Sequence, residues 1–311
     1  MRVIVAGGSG MIGRRLCPHL AQAGYEVVVL SRDPARARDA LPPSVAVESW
    51  DGQEAAEWAG LLDGALAVIN LAGVNLAGEG LLPARWTAQR KEAIRQSRLK
   101  AGRAIMQAVE AARAKPQVLL QASAVGYYGS QGEAQCIEES PAGSDFLARL
   151  CLAWEASTQA AEAMGVRRVI LRTAVVLDPS SGALLRLLLP YRLFLGGPMG
   201  SGRQWLPWIH PLDVTRAIEF LLEHQEARGP FNLAAPQAVR NRDFARTLGR
   251  VLRRPSWLPV PGFALRLILG EVADTVLKGQ RVFPKRLLDM GFQFAHPELE
   301  GALRDLLLNP G

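Results

Sequence analysis

Three glycines, Gly7, Gly10 and Gly13, stand three residues apart directly behind the apolar run 3–6. That spacing suits a phosphate cradle. The first glycine permits a sharp turn, the second lets backbone approach a pyrophosphate, and the third lets a helix pack closely on its strand. Ser9, Met11 and Ile12 lie between these glycines and belong to the same cofactor-facing turn. The N–H groups that open the following helix have no intrahelical partner and attract anions. A bend without a ligand would use the same glycines. Here a second strand-like run, residues 26–31, closes a βαβ unit of about thirty residues, and the combination points to a dinucleotide.

The end of that second run decides which dinucleotide. A carboxylate there holds the ribose hydroxyls of NAD. This chain reads Ser31-Arg32 instead, a hydroxyl and a guanidinium that suit a 2′-phosphate. Asp33 follows at once, and in the competing reading Arg32 is only a solvated loop charge. The favoured cofactor is NADP(H).

These groups need a scaffold. Strand-like runs at 2–7, 25–32, 45–50, 65–73, 117–124 and 167–177 alternate with helical segments, notably 11–23, 84–114 and 145–164. The strands are apolar throughout, which predicts an α/β fold with a doubly wound parallel sheet covered on both faces. Beyond Leu177, glycine and proline punctuate the chain more often. Residues 1–176 are therefore read as the NADP-binding Rossmann domain, and 177–311 as a smaller, mixed C-terminal substrate lobe. A helix over 212–224 is expected to return to the core. Pro255, Pro259 and Pro261 break the helices of the tail.

Composition narrows the class. The chain has 311 residues, 49% hydrophobic and 21% charged, enough for a large two-lobed globular unit. No run approaches the ~20 apolar residues of a membrane span, and no secretory leader is evident, so no membrane partner is expected. Cys17, Cys136 and Cys151 show no CxxC spacing, and the plain reading is a reduced, cytoplasmic protein. His19, His210, His224 and His296 form no ligand-like pair with one another or with cysteine, and no metal is expected. The net charge of +7 is spread along the chain without an aromatic-basic pattern. It suits an anionic small ligand and not nucleic acid.

The segments GGSGMIG (7–13), NLAG (70–73), RWTAQRKEAIRQSR (85–98), SAVGYYG (123–129), GSGRQWLPWIH (200–210) and LGEVADTVLKGQRVFP (269–284) follow in order. Together they resemble the YfcH-type, epimerase-like family of atypical short-chain dehydrogenase/reductases, over essentially the whole chain. The resemblance implies an extended Rossmann fold, bound NADP(H) and a family-specific C-terminal module; it implies no particular substrate. It carries cofactor contacts onto Gly7, Gly10, Gly13, Ser31 and Arg32, onto Leu71, Ala72 and Gly73, onto Glu92 and Arg98 of the long helix, and onto Val176. It also marks Arg203, Gln204, Trp208 and His210 as a loop closing over substrate, with Arg203 for an anionic group and Trp208 for a flat one. Against this stand bland uses: Asp213 as a cap of the following helix, and His210 as a structural histidine.

Arg98 shares one helical stripe with Ile94, Ala101, Ile105, Ala108 and Ala112. A guanidinium on that inward stripe needs a partner. Cofactor, or an ion pair with Glu92 or another carboxylate, both remain open.

Most short-chain reductases use Tyr-x-x-x-Lys, whose ammonium lowers the tyrosine pKa. Four residues beyond Tyr25, Tyr127, Tyr128 and Tyr191 stand Val29, Gln131, Gly132 and Leu195. The best alignment puts Leu147 and Cys151 at the two positions of the pair. Ser123, Tyr127 and Tyr128 are the remaining catalytic candidates, with Lys91 or Arg98 as supporting cations. Two classes follow: an NADP(H)-dependent, epimerase-like oxidoreductase acting on a small anionic molecule, or an NADPH-binding sensor or scaffold without turnover. The expected partner is a small-molecule substrate, with a homodimer as the assembly to test.

Overall fold

Buried apolar runs form seven strands: β1 (Arg2–Ala6), β2 (Glu26–Ser31), β3 (Ala46–Ser49), β4 (Ala67–Asn70), β5 (Val118–Ala124), β6 (Arg167–Thr173) and β7 (Gly229–Leu233). They pair in the order β7-β6-β5-β4-β1-β2-β3, every neighbour parallel. The structure is a computed structural model that describes residues 1–78, 80 and 83–308. Strand order reverses between β1 and β4, which opens a crevice at the carboxyl ends of the strands.

The helices that matter here are α1 (Gly13–Gln22), α2 (Pro34–Ala40), α3 (Ala88–Ala111), α4 (Phe146–Ala156), α5 (Gly182–Arg192), α6 (Pro211–Glu223), α7 (Asn241–Leu252), α8 (Gly262–Leu269) and α9 (Leu299–Leu308). Alternate residues of each strand point to opposite faces. Val3 and Val5 pack with Leu16, Cys17 and Leu20 of α1 and with Val214, Ala217 and Ile218 of α6. Ile4 and Ala6 pack with Ala101, Ala104, Ile105 and Ala108 of α3. A third cluster, with Leu184, Leu188, Trp208, Phe244, Leu248 and Leu303, joins α5, α7 and α9.

The doubly wound parallel sheet agrees with the sequence reading. Two elements escaped it. Helix α2 is short and polar, set by its N-cap Asp33 and by Pro34 rather than by an apolar stripe. Strand β7 reads GPFNL, and its proline fits only because the strand lies at the sheet edge. Val214, Ala217 and Ile218 of α6 lie in one cluster with β1 and α1, and β7 pairs with β6. Among the described residues no helix is long and apolar enough to cross a membrane.

Candidate cofactor and active site

The turn from β1 to α1 has the shape its glycines require. Gly7 has φ +80°, and a Cβ there would lie 3.0 Å from the backbone of Leu71 and Ala72. A Cβ on Gly13 would come within 2.3 Å of the Gly8 carbonyl oxygen, so the helix start is pressed onto the turn. A Cβ on Gly10 would meet only the Gly7 carbonyl, at 3.2 Å. Ser9, Met11 and Ile12 are half-buried along the same turn, and Met11 faces Gly182 at the start of α5.

At the end of β2 the two neighbouring charges divide their work. Asp33 turns inward to α2, where its Oδ1 accepts the Arg36 N–H at 3.0 Å. Ser31 is buried and its hydroxyl donates to the Asp33 carbonyl at 3.1 Å. Arg32 is exposed, and among the described residues its side chain has no hydrogen bond or ion pair. The competing acid is thereby occupied and the guanidinium is free.

Beyond β4, Leu71 donates its N–H to Ala6 at 2.9 Å, while Ala72 donates to the Asn70 side chain at 3.2 Å. Gly73 is exposed, and a Cβ there would sit 3.0 Å from the Arg98 Cζ. Arg98 is buried as its stripe predicted. Its Nη1 donates to Val74 O at 3.1 Å and Ile94 O at 3.0 Å, and its guanidinium lies 4.7 Å over the Trp154 ring. Its Nε has no partner. The ion-pair alternative is corrected here, because no carboxylate meets Arg98 among the described residues. Glu92 is on the solvent side of α3, bound to Gln96 at 2.6 Å. Burial lowers the Arg98 pKa to about 10.

Ser123 closes β5 and is buried, with its hydroxyl donating to Glu155 of α4 at 2.6 Å. That carboxylate accepts two bonds of 3.0 Å from Arg172 of β6. Arg172 also donates to the Tyr128 hydroxyl at 3.1 Å, and the Tyr127 ring lies 3.4 Å from its guanidinium carbon. Tyr128 is fully buried, and its hydroxyl donates to Asn232 of β7 at 2.7 Å. With no exposed surface and its hydroxyl committed to Asn232 and Arg172, Tyr128 is held as part of the core, and burial pushes its pKa up to about 12. Tyr127 is half-buried, with no hydrogen bond from its phenol among the described residues.

The aligned lysine position is occupied by Cys151, whose thiol donates to the Ala124 carbonyl at 3.6 Å and is pushed up to about 11 by burial. Glu155 and Arg172 were missed in the sequence. Their signal was a glutamate four residues beyond Cys151 on α4, facing an arginine that directly follows the apolar run 169–171 of β6. Lys91 pairs with Glu271 and lies 5.1 Å over the Phe146 ring, which removes it as a free supporting cation.

The second-lobe loop is divided. Val176 is buried and paired with Ile209. Trp208 is buried in the lobe core, its Nε1 donating to Gln237 O at 3.1 Å, so it cannot stack on a flat substrate. Trp205 is more accessible, set beneath the guanidinium groups of Arg240 and Arg281. Gln204 donates to Met199 O and Val276 O, at 2.9 and 2.8 Å, and leaves its buried Oε1 unpartnered. Arg203 is exposed, and among the described residues its side chain has no hydrogen bond or ion pair.

His210, not Asp213, caps α6, accepting the Leu212 N–H on Nδ1 at 3.2 Å. Asp213 instead accepts the N–H groups of Ala295 and His296. His210 is buried, with its ring 3.8 Å from that of His296 and its Nε2 3.2 Å from Asp305. This corrects two expectations: His210 is structural, and two histidines do meet in space, beside a carboxylate. With Nδ1 accepting from Leu212, His210 Nε2 is turned toward Asp305 and His296, and the ligand atoms of these three residues lie within 4.8 Å of one another.

Residues 3–234 match the pattern of the NAD dependent epimerase/dehydratase family, and residues 260–306 match a domain of unknown function, DUF1731. The chain belongs to the NAD dependent epimerase/dehydratase family. It is 38% identical to the epimerase family protein SDR39U1 homolog of Arabidopsis thaliana, over 99% of this chain and 87% of that protein. It is equally 38% identical to the epimerase family protein YfhF of Bacillus subtilis, covering 99% and 98% of the two chains. A crystal structure of human SDR39U1 with NADPH superposes with a TM-score of 0.89 at 35% identity, covering 99% of this chain and all of that one. Within this epimerase/dehydratase frame, the residues fit a bound dinucleotide: the glycine turn leaves space a Cβ would fill, and two guanidinium groups lack acidic partners.

Proposed function

We propose that this chain is an NADP(H)-binding, atypical short-chain dehydrogenase/reductase of the YfcH-type, epimerase-like group, an oxidoreductase acting on a small anionic molecule. One observation carries the cofactor: Arg32 projects unpaired from the end of β2 while Asp33 caps α2. The human relative crystallised with NADPH supports the same reading.

When bound, the cofactor supplies or accepts hydride at its nicotinamide. The chain's own residues set what happens to the proton. A carboxylate held bidentately by Arg172 accepts hydrogen bonds and does not donate them, so Ser123 donates its hydrogen bond to Glu155 and keeps its oxygen lone pairs to accept one. Such an oxygen receives a substrate O–H, which suits oxidation of an alcohol. Tyr127 is the phenol left to carry that proton onward. Arg203 is the cation of the loop left for an anionic group.

A second reading, a sensor or scaffold without turnover, draws on the absent Tyr-x-x-x-Lys pair and the neutral thiol of Cys151. The two separate when the chain is incubated with NADP+ and a panel of hydroxy acids and sugar nucleotides, and with NADPH and the matching carbonyl compounds. Consumption of either cofactor supports the enzyme. Stoichiometric binding without consumption across the panel supports the sensor.

A further inference from the structure

We propose that Arg98 makes this site selective for the oxidation state of its cofactor, holding the reduced dinucleotide and disfavouring the oxidised one. The inference rests on the NADP(H) reading above. In a doubly wound sheet the two halves of a dinucleotide lie on either side of the strand-order reversal. Arg32 marks the adenosine side, at the end of β2. The nicotinamide half therefore belongs over β4 and β5. Arg98 is on that side, packed against Gly73 beyond β4 and close to Cys151, which touches the end of β5.

The charges around Arg98 do not cancel it. Glu155 is matched by Arg172 in a bidentate pair, and Lys91 is matched by Glu271. Glu92 faces solvent with Gln96, and the Cys151 thiol is neutral. The groups that do meet Arg98 are two carbonyl oxygens and the face of Trp154. One unit of positive charge is left buried between α3 and α4. NADP+ and NADPH share every phosphate and differ by one positive charge on the nicotinamide ring. Phosphate contacts therefore cancel in the ratio of their affinities, while repulsion between Arg98 and the oxidised ring does not. At short range in a poorly hydrated site this repulsion corresponds to a ratio of about tenfold or more. In the enzymatic reading it speeds release of spent NADP+. In the sensor reading it makes occupancy follow NADPH and not the total pool.

Isothermal titration of the full chain with NADPH and with NADP+ tests this, on the wild type and on Arg98→Lys, Arg98→Met and Arg98→Gln. The wild type and Arg98→Lys should bind NADPH at least about tenfold tighter than NADP+. Arg98→Met and Arg98→Gln should bring the two affinities together, each variant first shown to unfold cooperatively. Two neutral variants are used so that loss of one to misfolding leaves the comparison intact. Equal wild-type affinities overturn the proposal, as does a ratio that survives in a folded neutral variant. A wild type that binds neither dinucleotide overturns the cofactor reading itself, a different outcome from binding both alike.

Discussion

Ser123 donates its hydroxyl to Glu155 across 2.6 Å, and the same carboxylate is gripped by Arg172 through two bonds of 3.0 Å. The pair bridges α4 and β6 under the position where related reductases keep a tyrosine and a lysine. Removing one member of a buried ion pair leaves the other uncompensated, at a cost of about 3–5 kcal/mol, whereas losing one hydrogen bond costs about 1–3 kcal/mol. Glu155→Gln should therefore lower unfolding stability more than Ser123→Ala. Urea unfolding of the two variants gives the order. Equal losses would mean that the hydroxyl, and not the ion pair, holds α4 to the sheet.

Among the described residues Arg32 has no hydrogen-bond or ion-pair partner, so its removal should cost nothing in folding. A charge-assisted hydrogen bond to a 2′-phosphate contributes roughly 1.5–3 kcal/mol, about ten- to a hundredfold in affinity. Arg32→Ala should lose that factor for NADPH and leave NADH binding unchanged. Titration with both cofactors checks it. Equal wild-type affinities for NADPH and NADH would sink the assignment.

His210 supplies a pH dependence with a defined sign. Burial, with His296 alongside, lowers its pKa from 6.5 to about 4. The folded chain prefers the neutral ring, so the unfolded chain binds more protons between those values. Stability is fully present above pH 6.5 and is lost as pH falls toward 4. His210→Asn keeps an N-capping side chain and removes the titrating one. Melting temperatures from pH 7 to 4 should fall less steeply in this variant, and an unchanged slope would place the acid sensitivity elsewhere.

Much of this was legible in the chain because period and spacing are local. The Gly7–Gly13 turn, the apolar parallel strands and the inward stripe of α3 each depend on neighbours in sequence. What was missed depends on distance. Glu155 and Arg172 are 17 residues apart and meet only because α4 packs over β6. His210 and His296 become neighbours only when the C-terminal segment crosses α6, tied there by Asp213. Trp205 and Trp208 stand three residues apart on two short strands either side of Pro207, and only Trp208 enters the core cluster. The loop motif named Trp208, the indole of the two that the core takes up.

Glycine positions separate packing from conformation. Gly13→Ala puts a methyl 2.3 Å from the Gly8 carbonyl, so it should cost about 1–3 kcal/mol or more and disturb the cofactor turn. Gly301 lies inside α9 with nothing within 4 Å of a built Cβ. Gly301→Ala should stabilise by about 0.5–1 kcal/mol. Thermal unfolding of the two variants should show shifts of opposite sign.

The two adjacent tyrosines should behave oppositely. Tyr128 is buried between Asn232 and Arg172, and its pKa is raised from 10 to about 12. The stability it contributes is present below pH 10 and is lost as pH rises toward 12. Tyr128→Phe should cost about 1–3 kcal/mol at neutral pH, flatten the alkaline loss of stability over that window, and leave turnover per folded molecule unchanged. Tyr127 is half-buried with an unengaged phenol, so Tyr127→Phe should leave folding intact. If that phenol takes the alcohol's proton while giving its own to water, its loss should slow oxidation of an alcohol substrate on the order of a hundredfold or more while NADPH affinity stays the same. The comparison requires a substrate from the panel of hydroxy acids and sugar nucleotides, and unfolding curves for both variants. Undiminished turnover in Tyr127→Phe would move the proton route to solvent or to the loop carrying Arg203, where Arg203→Ala is the next variant to measure.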